Sequence, residues 1–217
     1  MDWKSERNEL IETVCTMNKL GINHGTSGNA SVRVDNGYLM TPSGVAYEEM
    51  REEDIVLMSF DGSYESIEDR RKPSSEWRFH QDLLSARADF GAILHTHGTA
   101  ATTLACHRRE IPPFHYMIAL AGGHTIRCAE YATFGTQALS DNVLTAMEGR
   151  KACLMANHGL LVGEASLRNA LSLAVEVEYL CDAYWRALQL GDPVLLTTEQ
   201  MDAAQENFRK GYGIASP

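Results

Sequence analysis

The chain has 217 residues, 44% of them hydrophobic and 22% charged, with 19 basic and 29 acidic side chains for a formal net charge of -10. These proportions are those of a globular protein and exclude a disordered or fibrous chain, and the negative balance disfavours a surface that tracks nucleic-acid phosphates. No run approaches the ~18 apolar residues of a membrane span, and the opening MDWKSERNEL is charged rather than signal-like, so we expect a cytoplasmic protein without a leader. From Glu6 to Leu20, Leu10, Ile11, Val14, Met17 and Leu20 recur at helical spacing, and Gly21 is the expected stop. Ala30 to Val34 and Tyr38 to Thr41 read as strands joined through Asp35-Asn36-Gly37, a hairpin signal, with a third strand over Ile55 to Ser59. After a polar stretch to Pro73, EWRFHQDLLSARA predicts a helix capped by Ser74 or Ser75. Ala92 to His97 predicts a strand, Thr136 to Glu148 a helix, Ala152 to Ala156 and Leu160 to Val162 two short strands around a turn. Leu167 to Leu188 and Thr197 to Tyr212 predict the last two helices.

Helices and strands mix without a regular βαβ alternation, and with the local hairpin this implies one α/β domain over residues 1–217, its sheet mainly antiparallel or mixed and flanked by helices. The five cysteines are odd in number and lack CxxC spacing, which argues against a disulfide framework or a cysteine zinc site, and they read as buried thiols.

Three short segments carry chemistry. In His95-Thr96-His97 the two imidazoles leave the same face of a strand, so both can reach one metal ion; hydrogen-bonded structural histidines are the alternative. In Asn157-His158-Gly159 a third histidine sits in a glycine turn after a strand, either completing a three-imidazole metal site or capping the turn. Glu76, in Pro73-Ser74-Ser75-Glu76, stands in the first turn of the predicted helix, where a carboxylate ordinarily compensates the helix dipole. Its two serine neighbours, with backbone N–H groups at a helix start, would suit a phosphate. Gly25-Thr26-Ser27-Gly28-Asn29 and Thr41-Pro42-Ser43-Gly44 offer further small donors; neither is a P-loop.

GTSGNASVRV, MTPSGVAYE, PSSEWRFH, AILHTHGTAA, IPPFHYMIALAGG, YATFGT and ANHGLLV, in that order and spanning about residues 6 to 212, resemble the class II aldolase/adducin family. The resemblance implies a single α/β domain with a mainly antiparallel sheet flanked by helices and a mobile C-terminal tail. It implies a homotetramer with active sites between subunits and one Zn2+ per subunit, with Co2+ or Mn2+ as substitutes. It assigns the metal ligands to His95, His97, His158 and, in the resting enzyme, Glu76, which then serves as the catalytic base. Gly28, Asn29, Ser43, Gly44, Ser74 and Ser75 would hold the substrate phosphate. Tyr116 would be a proton donor contributed by a neighbouring subunit, and Tyr212 a tail contact. The implied reaction is reversible cleavage of L-fuculose 1-phosphate, or a related ketose 1-phosphate, to dihydroxyacetone phosphate and L-lactaldehyde. Alternatives within the family are an aldolase for 5-deoxypentulose or methylthio-ribulose 1-phosphates, a sugar-acid phosphate decarboxylase, and a non-catalytic adducin-like module. The chain departs from the family pattern at Ser27, Ser43, Thr96 and Ala156-Asn157, and these departures bear on the aldehyde substrate more than on the reaction type.

Overall fold

A computed structural model describes residues 3–67 and 71–211; Tyr212 and the expected mobile tail lie outside the described residues. Helix α1 (Lys4–Lys19) buries Leu10, Val14 and Met17 and gives way at Gly21, whose φ is +72°. Strands β1 (Asn29–Val34) and β2 (Gly37–Met40) form the expected hairpin, but Val34 pairs with Gly37, so the loop is Asp35-Asn36 alone. Gly37 has no left-handed backbone. A Cβ there would collide with the carbonyl of Met58 in β3 (Val56–Met58), so the neighbouring strand requires the glycine.

Helix α2 (Trp77–Ala86) starts later than expected: its N-cap is Glu76 rather than Ser74 or Ser75, and no side chain caps it. Beyond it come β5 (Ala92–Thr96), α4 (Gln137–Ala146), β7 (Ala152–Met155), β8 (Gly159–Glu164), α5 (Leu167–Ala187) and α6 (Thr198–Arg209). Thr136, Ser166 and Thr197 cap the last three helices through their side chains. Periodicity did not foresee β4 (Tyr64–Glu65), α3 (Thr99–Cys106), β6 (Arg127–Ala129) or the 3-10 segment Tyr116–Ala121. Helix α3 is a run of small residues with little polar contrast. It is anchored from outside, by the Glu178 carboxylate of α5, which accepts from the N–H groups of Ala100 and Ala101 at 2.7 and 3.1 Å.

The eight strands form one sheet in the order β4-β3-β2-β1-β5-β8-β7-β6, antiparallel throughout except for β6 with β7. Strand alternation sorts the core into two layers. Ala30, Leu94 and Val162 join Leu10, Leu104 and Val177 under α1, α3 and α5, while Ile93 and Leu161 join Phe79, Leu83 and Val143 under α2 and α4. Cys153 and Cys181 are buried as expected, but Cys106 is exposed at the end of α3. Among the described residues no helix is long and apolar enough to cross a membrane.

Candidate metal centre and active site

The three histidines meet where β5 and the turn between β7 and β8 come together. His95 pairs with Leu161 across β5 and β8, and its Nδ1 donates to the Leu160 carbonyl at 2.9 Å, leaving Nε2 as a lone pair directed away from the strand. His97 follows the last strand residue, and its Nε2 lies 2.7 Å from that of His95. His158 arrives from the β7–β8 turn, where Asn157 takes a left-handed φ of +53° and His158 N–H closes onto the Met155 carbonyl. Asn157 is tied to the end of α3: its N–H donates to Ala105 O, and its side-chain oxygen accepts from Arg108 Nε at 3.0 Å. A Cβ on Gly159 would collide with the Thr96 carbonyl and stand 3.2 Å from the His95 ring and 3.3 Å from that of His97, so the glycine lets β8 approach the end of β5 and its two imidazoles. One nitrogen from each histidine falls within 4.8 Å of the others.

Glu76 closes the group. From its N-cap position the buried carboxylate turns to the histidines, with Oε1 3.1 Å from His158 Nε2 and Oε2 3.4 Å from His95 Nε2. Oε2 accepts from Asn29 Nδ2 at 2.8 Å, whereas buried Oε1 faces His158 Nε2 and, among the described residues, finds no other hydrogen-bond partner. Burial pushes this carboxyl up, but the neighbouring His95 and His158 and the Asn29 amide outweigh it and hold Glu76 well below the ordinary carboxylate range. Burial conversely drives His95 down to about 3 and lowers His97. An ionised carboxylate beside His95 and His97, both pushed toward the neutral form by burial, is what metal ligation requires of these groups. Three imidazole nitrogens and one carboxylate suit a transition metal better than calcium or magnesium, which favour oxygen ligands.

Beside this group opens a cavity of about 440 Å³. Gly28, Asn29, Ser43, Gly44, Ser74 and Ser75 all line it, together with Glu76, His97 and His158. The two serine loops run side by side: Ser43 N–H donates to Lys72 O, Ser74 N–H to Thr41 O, and Pro42 bridges Pro73. Those two N–H groups are committed to the fold, so an anion would rely on the hydroxyls and the other amides of the loops. Among the described residues no lysine or arginine lines the cavity. Phe134, which no motif singled out as a site residue, also lines it.

Tyr116 is not among the lining residues. It is 45% exposed at the start of the 3-10 segment, with its ring stacked on Phe208 of α6 at 6.2 Å, and so is not the buried packing residue that its apolar neighbours would suggest.

Sequence reading also missed His80. Fully buried beneath the Phe79 ring, it contacts Asn29 Oδ1 through Nε2 at 2.6 Å and Ser31 Oγ through Nδ1 at 2.7 Å. Burial lowers it to about 3. The signal was available: Asn29 and Ser31 share one face of a strand, and Glu76 and His80 stand one helical turn apart.

The pattern of the Class II Aldolase and Adducin N-terminal domain matches residues 8–185. A 5-methylthioribulose-1-phosphate/5-deoxyribulose-1-phosphate aldolase of Rhodospirillum rubrum is 50% identical, over 95% of this chain and 92% of its own length. An L-fuculose phosphate aldolase of Escherichia coli is 45% identical, over 96% and 98%. A solved L-fuculose 1-phosphate aldolase structure superposes with a TM-score of 0.90 at 43% identity, covering 94% of this chain and 95% of that one.

Proposed function

This chain belongs to the class II aldolase and adducin family and is a class II aldolase, and from that premise we propose that it reversibly cleaves a ketose 1-phosphate to dihydroxyacetone phosphate and an aldehyde. L-Fuculose 1-phosphate, yielding L-lactaldehyde, is the leading substrate. The observation that carries the proposal is the position of the Glu76 carboxylate, ionised among three imidazoles and opening onto a cavity lined by uncharged donors.

In this reading the loops around Ser43, Gly44, Ser74 and Ser75, with Gly28 and Asn29, hold the phosphate. That places the hydroxyl-bearing carbon of dihydroxyacetone phosphate near Glu76, which takes its proton in the synthetic direction. His95, His97 and His158, joined by Glu76 at rest, would hold zinc, which when bound supplies a Lewis acid at the substrate's ketone oxygen. Tyr116 of a neighbouring subunit gives the aldehyde oxygen its proton, which makes the working form a homotetramer; its exposed ring supports that role. The reaction belongs to cytoplasmic sugar metabolism.

A second reading rests on the 50% identical relative: 5-methylthioribulose or 5-deoxyribulose 1-phosphate as the substrate, with the same chemistry at the phosphate end. Incubating the purified protein with a panel of these ketose 1-phosphates and identifying products by NMR separates the two. We expect dihydroxyacetone phosphate from each and the highest kcat/KM with L-fuculose 1-phosphate. A tenfold preference for a pentulose substrate transfers the assignment to the second reading, and release of dihydroxyacetone phosphate from none of them sinks both.

A further inference from the structure

We infer that His80 is a positioning residue for the catalytic base, the middle member of a buried relay Ser31–His80–Asn29–Glu76 that fixes which way the carboxylate faces. The inference rests on the proposal that Glu76 is the base. Its logic starts at the carboxylate, which carries only lone pairs at neutral pH, so the Asn29 group 2.8 Å from Oε2 is its NH2. The Asn29 carbonyl therefore faces His80 and needs a donor. His80 is neutral, so its one ring proton is on Nε2, 2.6 Å from that carbonyl. Nδ1 is then a lone pair and must accept from the Ser31 hydroxyl at 2.7 Å. Every donor in the chain points toward Glu76, and each orientation is set by the residue behind it.

The placement is built into the fold. Asn29 and Ser31 stand on the same face of β1, and His80 on α2 reaches both with its two ring nitrogens. Ser31 and His80 have no exposed surface, and neither lines the cavity. Without the His80 proton, the Asn29 amide could rotate and set its carbonyl against the carboxylate. Glu76 would then lose the Asn29 hydrogen bond on Oε2 and be turned from its aim. Small misplacements of a catalytic group cost up to about a hundredfold in rate.

The test compares wild type, His80→Leu, His80→Gln, Ser31→Ala and Glu76→Gln, each as purified, with metal content measured. The rate read is proton exchange between dihydroxyacetone phosphate and deuterated water per metal-loaded site. His80→Leu should lower kcat for exchange about ten- to a hundredfold with KM within about twofold. His80→Gln, whose amide can still donate to Asn29, should recover most of the loss, and Ser31→Ala should fall between. A structural role would instead remove active sites and leave the rate per loaded site at the wild-type value in the His80 and Ser31 variants, which would overturn the relay. Independently of activity, 15N-histidine spectra of the wild type should show one signal, absent from His80→Gln, with the Nε2–H tautomer; an Nδ1–H tautomer overturns the inference even if His80→Leu fails to fold. Glu76→Gln keeps the failures distinct: exchange surviving there removes the base and the relay together, whereas exchange lost there but unchanged in Ser31→Ala and His80→Leu removes the relay alone.

Discussion

Where β1 pairs with β5, the two faces of the central sheet are built from the same strands but follow opposite rules. Toward α1, α3 and α5, β1 and β5 present Ala30, Val32, Ala92 and Leu94, which pack into a continuous apolar layer. Toward α2, the intervening residues of β1 are Asn29, Ser31 and Arg33, and β5 adds His95. Each of these polar groups is buried or half-buried and hydrogen-bonded: Arg33, for instance, donates to the carbonyls of Leu84, Arg87 and Phe90 around the end of α2. A buried polar group without a partner costs about 1–3 kcal/mol, and here partners come from α2 and its two ends for Asn29, Ser31 and Arg33 and from β8 for His95. The difference teaches that alternation along β1 and the end of β5 separates stability from chemistry rather than inside from outside.

If that separation holds, substitutions on the two faces should fail in different ways. The largest effect is expected at Glu76→Gln, which should lower proton exchange on dihydroxyacetone phosphate by about 10²–10⁴ while the melting temperature and metal content stay near wild type. On the opposite face Leu180→Ala, at a position 1% exposed in α5, should cost about 2–5 kcal/mol in denaturant unfolding with kcat per folded molecule unchanged. A Leu180→Ala protein that folds normally but turns over slowly would break the comparison.

Next, Ser75→Ala should weaken phosphorylated substrates by about 1–3 kcal/mol and leave unphosphorylated analogues alone, measured as kcat/KM for matched pairs. Equal losses for both would take Ser75 out of the phosphate site. The last effect concerns acid. His80 titrates near 3 in the folded protein against about 6.5 when unfolded, so below pH 6.5 the unfolded chain binds a proton that the native state refuses. Its contribution is complete above about pH 6.5 and is lost as the pH falls toward 3, by at most about 1.4 kcal/mol per unit. Denaturant midpoints against pH for chelated protein should slope less in His80→Gln than in wild type; parallel curves would show that the α2 face takes no toll from acid through this residue.

Much of this arrangement was legible in the residues. Asn-Gly located the hairpin, strand alternation put His95 and His97 on one side, and a glycine turn brought His158 to them. What escaped was set by tertiary partners. Ser74 and Ser75 look like helix caps, yet they belong to a loop that pairs with the Thr41 segment, which moves the helix start to Trp77. Helix α3 shows too little polar contrast to announce itself and depends on Glu178, far along the chain. His80 looks like an ordinary helical residue until β1 is laid beneath it. The six residues expected to hold phosphate line one cavity, but the sequence gives no sign that the Ser43 and Ser74 amides are already engaged.

The register of β1 against β5 and of β5 against β8 also has a consequence in time. Asn29 meets Glu76 across 47 residues of chain, and His95 meets Leu160 across 65. Contacts so distant in sequence form late, because the loops between them must close before any pairing is rewarded. Helices α1 and α5 and the β1–β2 hairpin need only local order, whereas the histidine group needs nearly the whole sheet in register. On dilution from denaturant, far-ultraviolet ellipticity should therefore return well before the protein can bind metal tightly, and a newly made chain should be able to assemble this centre only after residue 160 or so is free to fold.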